Sequence, residues 1–173
     1  MFILRKFIIL LFFVTTLNSY ELEDKLKVII TSKIAKFVQW DSLVSEIFTI
    51  TVFRKTHDFF DTTLDGKKIN GKNIKIVYID SVNDLKDTNI LYLSNTSSQE
   101  LLSIFQHIKN KNILTISDIR GFAQKGGMIQ LYTKNQNLKL RINLDNIEKE
   151  NLKIKSSLLR ISDVIQENKN EKI

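Results

Sequence analysis

Apolar and polar positions alternate along the chain with periods that predict short helices and strands after residue 20. Between Glu21 and Trp40, apolar residues recur every three or four positions, which is typical of one amphipathic helix. Phe48–Phe53 alternates apolar residues with threonine and predicts a strand, and His57–Leu64 predicts a short helix that Asp65-Gly66 closes. The residues expected on the buried face of the first helix are Leu22, Leu26, Ile29, Ile30, Ile34, Phe37 and Val38.

Three further strands and a second long helix follow in an order that predicts a parallel sheet. The strands are expected at Asn73–Ile79, Asn89–Leu93 and Asn112–Ile116, and the helix at Ser97–Ile108. Helical segments between strands imply right-handed crossovers, which make successive strands parallel.

The last part of the chain predicts a hairpin and a closing helix. Met128–Thr133 and Leu138–Asn143 flank a polar turn, so these two strands are expected to pair antiparallel. Lys155–Ile165 predicts a helix whose buried face is Leu158, Leu159, Ile161 and Ile165. We therefore expect a single α/β domain over residues 20–166, with a largely parallel sheet flanked by helices that ends in an antiparallel hairpin and a C-terminal helix. Residues 167–173 are expected to form a frayed polar tail.

The first nineteen residues have the pattern of a secretory signal peptide. Arg5 and Lys6 precede the apolar run Phe7–Val14, and Ser19 supplies a small residue before a cleavage site. A retained membrane anchor is the alternative, but polar residues end the run before the roughly 20 apolar positions that a spanning helix needs. We therefore expect residues 1–19 to be removed and the mature protein to be exported.

The composition narrows the class of function. The chain contains no cysteine, which excludes disulfides, thiol catalysis and thiolate metal sites. Its formal net charge of +7 comes from basic residues that are interspersed with acidic and amide residues, and no run of five basic residues occurs. A nucleic-acid partner is therefore not expected.

The motifs that could carry chemistry are weak. Gly66–Asn73 is close to a phosphate-binding loop, but it lacks the final hydroxyl and follows a predicted helix instead of a strand, so we expect a plain turn. His57 and His107 lie far apart and neither has a carboxylate at a metal-ligand spacing. A Gly-x-Ser-x-Gly nucleophile elbow is also missing. We therefore expect no catalytic residue, no metal and no cofactor.

Ile113–Leu131 is the most distinctive segment, because a buried strand enters a short loop with paired glycines before the next strand. One interpretation is a partner-binding or ligand-binding edge at the carboxyl end of the sheet, where open α/β folds bind. The other is that Asp118 caps a helical turn and Phe122 fills the core. The residues nominated for partner binding are Asp118, Arg120, Phe122, Gly126, Gly127 and Met128.

Eight pieces of the chain, in matching order, resemble the YfiR/HmsC family of periplasmic regulators, and together they cover nearly all of the expected mature chain. The pieces are Lys33–Trp40 (KIAKFVQW), Phe48–Val52 (FTITV), Ile69–Ile74 (INGKNI), Ile90–Leu93 (ILYL), Ile113–Asp118 (ILTISD), Phe122 with Gly126–Ile129 (GGMI), Arg141–Leu144 (RINL) and Ile154–Leu159 (IKSSLL).

The resemblance implies a non-enzymatic regulator that binds the periplasmic part of an inner-membrane diguanylate cyclase. Such a protein represses the cyclase and so lowers cyclic-di-GMP signalling and biofilm formation. A homodimer is a further expectation, since regulators of this size commonly associate through isologous contacts.

The alternative function is a periplasmic sensor that binds a small molecule at the Asp118–Gly127 loop and acts on another signalling protein. One departure from the family pattern matters for either function. Many members carry cysteines, including near the strand that begins here with Asp87-Thr88-Asn89, whereas this chain has none. Redox control is therefore not carried over to this chain.

Overall fold

The computed structural model describes residues 21–40, 46–55 and 58–166. The predicted leader at 1–19, the histidine at 57 and the predicted tail at 167–173 lie outside these residues. The described helices are α1 (residues 21–35), α2 (Phe59–Leu64), α3 (Ser98–Ile108), α4 (Leu144–Lys149) and α5 (Ser156–Leu159), with one 3-10 turn at Val82–Asp84. The strands are β1 (Val38–Gln39), β2 (Ile47–Phe53), β3 (Lys68–Ile69), β4 (Lys72–Ile79), β5 (Ile90–Leu93), β6 (Leu114–Ser117), β7 (Ile129–Lys134), β8 (Asn137–Asn143), β9 (Lys153–Ile154) and β10 (Asp163–Ile165).

The sheet confirms the predicted α/β fold. In the described part of the chain, eight strands form one sheet in the order β10-β8-β7-β6-β5-β2-β4-β3. The pairs from β4 to β7 are parallel, and β7 and β8 form the expected antiparallel hairpin. β2, β5 and β6 are almost entirely buried, as expected for central parallel strands that are covered on both faces.

Two apolar clusters cover the two faces of the sheet. On one face, α1, α2, α4 and α5 pack against alternate residues of β2, β5, β6 and β7, such as Ile50, Tyr92 and Ile116. On the other face, α3 and the loop after β6 pack against the intervening residues, such as Leu91 and Leu93. We call these the α1 face and the α3 face. Successive side chains of a strand point to opposite faces, so each central strand contributes to both clusters.

The first helix is shorter than its apolar periodicity predicts. Its helical residues end at 35, and Val38 and Gln39 pair with Ile154 and Lys153 of β9 instead. The exposure of Leu22 and Leu26, 70% and 43%, also corrects the predicted buried face. The buried stripe of α1 begins at Val28, where the helix meets the core of the α1 face.

The C-terminal helix is present, but it ends at Leu159 instead of continuing to Ile165. Asp163–Ile165 forms β10, which pairs in parallel with β8. Ile161, predicted to be buried, is 71% exposed. The edge of β8 explains this difference, because its backbone groups need partners and β10 supplies them.

The remaining local signals agree with the structure. The segment after α2 turns at Gly66, enters β3, and turns again at Gly71 into the antiparallel strand β4, so it has the order of a turn and not of a phosphate loop. Both glycines have a positive φ, which glycine adopts readily. No helix in the described part of the chain is both long and apolar enough to cross a membrane.

Candidate functional site

The strand order places a switch point between β2 and β5. From β2 the chain passes to β4 on one side, and then to β5 and β6 on the other side. Open α/β sheets bind ligands outside the carboxyl ends of strands at such a point, because the flanking loops diverge there. A cavity of about 180 Å³ lies at this place, next to Val52 of β2, Tyr92 of β5 and Asp118, the first residue after β6. We call it the switch-point pocket.

Two helices also line the switch-point pocket. Asp24, Lys27 and Val28 follow one another at helical spacing on α1, so they share one side of that helix. Phe59 and Phe60 of α2 form an aromatic wall. The pocket therefore has a charged side from α1 and β6 and an apolar side from α2 and β2.

A Lys27 ion pair connects α1 to the end of β6. The Lys27 Nζ atom lies 2.9 Å from Asp118 Oδ2, 3.2 Å from Asp24 Oδ1 and 3.2 Å from Glu23 Oε1. The Lys27 side chain is only 14% exposed. Burial opposes its charge, but hydrogen bonds and charges from Asp118 and then Asp24 together raise the pKa of Lys27. Lys27 is therefore a fixed cation in the wall of the pocket.

Tyr92 is the buried polar residue of the pocket. It is 6% exposed, and its ring packs edge-on against Phe60 with centroids 4.9 Å apart. The Tyr92 hydroxyl makes no hydrogen bond to a described residue. Burial, followed by the negative charges of Asp118 and Asp24, raises the pKa of Tyr92 well above its usual value. The hydroxyl is therefore protonated and able to donate.

The chemistry of the pocket suits binding. Its lining offers carboxylates, an ammonium group, hydroxyls and aromatic rings, without a nucleophile beside a base among the described residues. His107 lies on α3, which covers the opposite face of the sheet. Within the described ranges, no group of three or more histidine, aspartate or glutamate residues could hold a metal ion.

The residues nominated for partner binding after β6 lie in different environments. Asp118 lines the switch-point pocket, and Arg120 is exposed. Phe122 is fully buried on the α3 face, so the core interpretation of this residue holds. Gly127 lies against the Phe122 ring. Ser117, not Asp118, caps the following turn, because its Oγ accepts a hydrogen bond of 2.9 Å from the Ile119 amide.

The last nominated residues border a second cavity, of about 470 Å³, between α3 and α4. Gly126 and Met128 line it, although Met128 itself is buried. The buried Glu150 carboxylate fixes one side of this cavity, because it accepts hydrogen bonds from the backbone N–H groups of Asn110 and Asn112. The segment therefore contributes to two separate concave places, and its role in partner contact stays a prediction.

Sequence reasoning missed Asp24, Lys27 and Tyr92. The Asp24–Lys27 spacing is common on helix surfaces, and Tyr92 lies in an ordinary buried strand. Only the crossing of α1 over the carboxyl end of β6 brings Lys27 to Asp118, which is 91 positions away. The acidic residues Glu23 and Asp24, four and three positions before Lys27 on the same helix, were the one available signal.

The fold and the pocket define a class: a single α/β domain with an open, mostly parallel sheet and a small binding cavity at its switch point. The chain belongs to the YfiR/HmsC-like family, whose model matches residues 24–163. This match confirms the family expected from the sequence. No curated protein matches the chain.

Solved structures share the fold at low identity. A conserved domain protein from Vibrio cholerae O1 biovar El Tor matches with a TM-score of 0.56 and 10% identity, over 83% of this chain and 60% of that one. An ABC domain from Streptococcus pneumoniae, solved in complex with L-Trp, matches with a TM-score of 0.51 and 12% identity, over 68% and 55%. This chain thus spans less than two thirds of either structure, and the likeness concerns the fold alone.

Proposed function

We propose that this chain is a non-enzymatic periplasmic regulator that binds the periplasmic part of an inner-membrane diguanylate cyclase and represses it. Membership of the YfiR/HmsC-like family over residues 24–163 is the observation that carries the proposal. A repressor of this kind acts by preferring the inactive conformation of the cyclase, because a ligand shifts an equilibrium only by its differential affinity for the two states. Export by the leader at 1–19 places both proteins in the same compartment.

Arg120 is the best candidate for a direct contact within the nominated segment. Phe122 and Met128 are buried, so they shape the segment without facing a partner. Arg120 is exposed in the turn between Asp118 and Phe122. Arginine is common among the residues that contribute most to binding at interfaces. The partner surface would then include the turn that follows β6.

The test is co-purification of the tagged protein from its native membranes in mild detergent, with mass spectrometry of what is retained. We expect a membrane diguanylate cyclase, with recovery reduced in Arg120→Ala. Arg160→Ala is the matched control, since Arg160 is also exposed but follows α5. Folded protein that repeatedly retains no cyclase would contradict the proposal. Equal recovery with both variants would remove Arg120 from the interface.

A second candidate function is a periplasmic ligand sensor that acts on another signalling protein. The switch-point pocket favours it, because buried Tyr92, whose hydroxyl bonds no described residue, lines a cavity at the position where such sheets bind ligands. A sensor of this kind gains thermal stability from its ligand by mass action, whereas a pure protein binder does not. A thermal shift screen against a metabolite panel separates the two functions.

A further inference from the structure

The charges around Lys27 leave the switch-point pocket with an excess of negative charge. Lys27 is the one cation in the described lining, while Asp24 and Asp118 both line the cavity. Glu23 adds a third carboxylate next to the Lys27 ammonium. The Lys27 ammonium donates two hydrogen bonds, to Asp24 and Asp118, and its third N–H group lies near Glu23, whose Oε1 is 3.2 Å from Nζ. Two lining carboxylates against one ammonium leave the pocket net negative, which disfavours an anionic ligand.

The same carboxylates retain acceptor capacity. Asp118 bonds Lys27 through Oδ2 and Asp24 through Oδ1, so the second oxygen of each carboxylate makes no hydrogen bond to a described residue. The Tyr92 hydroxyl also makes no hydrogen bond to a described residue, although the residue is more than nine-tenths buried. Carboxylate oxygens only accept hydrogen bonds, and a tyrosine oxygen can also accept one, so these atoms favour an occupant that donates hydrogen bonds.

The volume and the lining of the pocket determine the size and the apolar character of the rest of that ligand. A cavity of 150 Å³ can hold benzene, so about 180 Å³ accommodates a body of roughly one six-membered ring. The rings of Phe59, Phe60 and Tyr92 suit an apolar or aromatic body, and aromatic faces also attract a cation.

We propose that the switch-point pocket binds a small organic cation, namely a primary ammonium group on a body of about one ring and without a carboxylate. The ammonium would donate to the unpaired oxygens of Asp24 and Asp118 and to Tyr92, while the body lies against Phe59 and Phe60. A ligand carboxylate would meet the excess negative charge and is excluded. This inference rests on the second candidate function, the ligand sensor, and adds the chemical class of its ligand.

The experiment titrates the purified protein with benzylammonium, benzyl alcohol and benzoate at equal ionic strength, by calorimetry and thermal shift. These probes share a ring and differ in charge. We expect benzylammonium to bind in the low millimolar range or tighter, about what eight non-hydrogen atoms support, and to raise Tm. Benzyl alcohol should bind at least about ten-fold more weakly, since it lacks the charge, and benzoate should not bind.

Variants locate the binding. Tyr92→Phe keeps the ring and should weaken benzylammonium binding about ten-fold by removing one hydrogen bond to a charged group. Asp118→Asn should weaken it at least as much. Asp87→Asn is the matched control, because Asp87 is an exposed carboxylate at the opposite end of β5, and it should bind like the unmodified protein.

The outcomes separate this inference from the sensor function. Tighter binding of benzoate or benzyl alcohol than of benzylammonium would overturn the cation class and leave the sensor function standing. Benzylammonium binding that Tyr92→Phe and Asp118→Asn leave unchanged would overturn the assignment to this pocket. If neither these probes nor any member of the metabolite panel binds, both fail, while cyclase repression is decided by the co-purification alone.

Discussion

The two faces of the sheet use the same short segment after β6 in opposite ways. On the α1 face, Asp118 joins Lys27 in the wall of a polar pocket. On the α3 face, four residues later, Phe122 is buried completely among apolar side chains and packs on Phe105 with ring centroids 5.7 Å apart. At the carboxyl ends of the strands, the α1 face thus has polar pocket residues, whereas the α3 face has apolar packing.

This difference shows why a distinctive segment need not be one functional site. Burial of Phe122 fixes the turn, and the fixed turn determines where Asp118 points. A substitution at Phe122 should therefore change stability first, and the pocket only indirectly. A substitution at Asp118 should change the pocket with a smaller effect on stability.

Phe122→Ala should produce the largest effect. Removal of a fully buried aromatic ring leaves a cavity and is expected to lower the free energy of unfolding by about 3–5 kcal/mol. Leu102→Ala is the control, because Leu102 is 59% exposed on α3 and should change stability by no more than about 0.5 kcal/mol. Urea denaturation followed by circular dichroism measures both. A loss below about 1 kcal/mol for Phe122→Ala would contradict its role as the core residue of this turn.

Gly127→Ala should be the next largest, through overpacking. A Cβ atom at Gly127 would overlap the Phe122 ring, and forcing extra atoms into a packed core costs about 1–3 kcal/mol. In a Phe122→Ala background the same change should be nearly neutral, because the ring that it meets has gone. The four proteins of this double-mutant cycle are compared by urea denaturation. Purely additive effects would show that Gly127 is required for another reason.

Much of this architecture could be predicted from the sequence, because it depends on local patterns. The apolar patterns predicted β2 and β4 to within a residue, and the predicted helix start at Ser97 is the N-cap of α3, where Ser97 forms a capping box with Glu100. The errors occur where long-range pairing overrides periodicity. Val38 continues the helical pattern of α1, yet it pairs with Ile154 in a strand.

The candidate site was less predictable, for the same physical reason. Asp118 was identified because it directly follows a buried strand, and the ends of parallel strands share one edge of the sheet. Tyr92 carried no local signal, because a tyrosine in a strand is ordinary until a cavity opens beside its hydroxyl. Phe122 shows the limit of loop chemistry, since sequence alone does not distinguish an exposed aromatic residue from one that fills the core.

The Lys27–Asp118 pair should show a moderate coupling. A double-mutant cycle with Lys27→Met and Asp118→Asn is expected to give about 1–2 kcal/mol, because both side chains are shielded, at 14% and 29% exposure. Lys25 and Glu21 form the control pair on the same helix. They are 43% and 51% exposed, so solvent screening should make their coupling clearly smaller. Equal couplings would show that the pocket does not shield its ion pair.

Substitution of Glu100 on α3 should give the smallest change in stability, and only in one pH range. Its ion pair with Arg54 is more exposed than the Lys27–Asp118 pair on the α1 face. Hydrogen bonds from the Ser97 amide, then from Arg54 and the Ser97 hydroxyl, lower the pKa of Glu100 from 4.5 to about 2. The folded-state pKa is below the unfolded value, so this carboxylate stabilises the fold above about pH 4.5, and the contribution is lost as pH falls toward 2. Glu100→Gln keeps a side-chain acceptor for the capping box and removes the charge.

The stability gap between the unmodified protein and Glu100→Gln should therefore be constant near neutral pH and shrink between about pH 4.5 and pH 2. The Arg54–Glu100 pair is 41% and 37% exposed, so screening keeps the gap small and added salt should narrow it further. Urea denaturation at a series of pH values measures the gap, and Leu102→Ala, which changes no charge, serves as the control for general acid effects. A gap for Glu100→Gln that persists unchanged to pH 2 would show that the capping carboxylate contributes through its shape, not its charge.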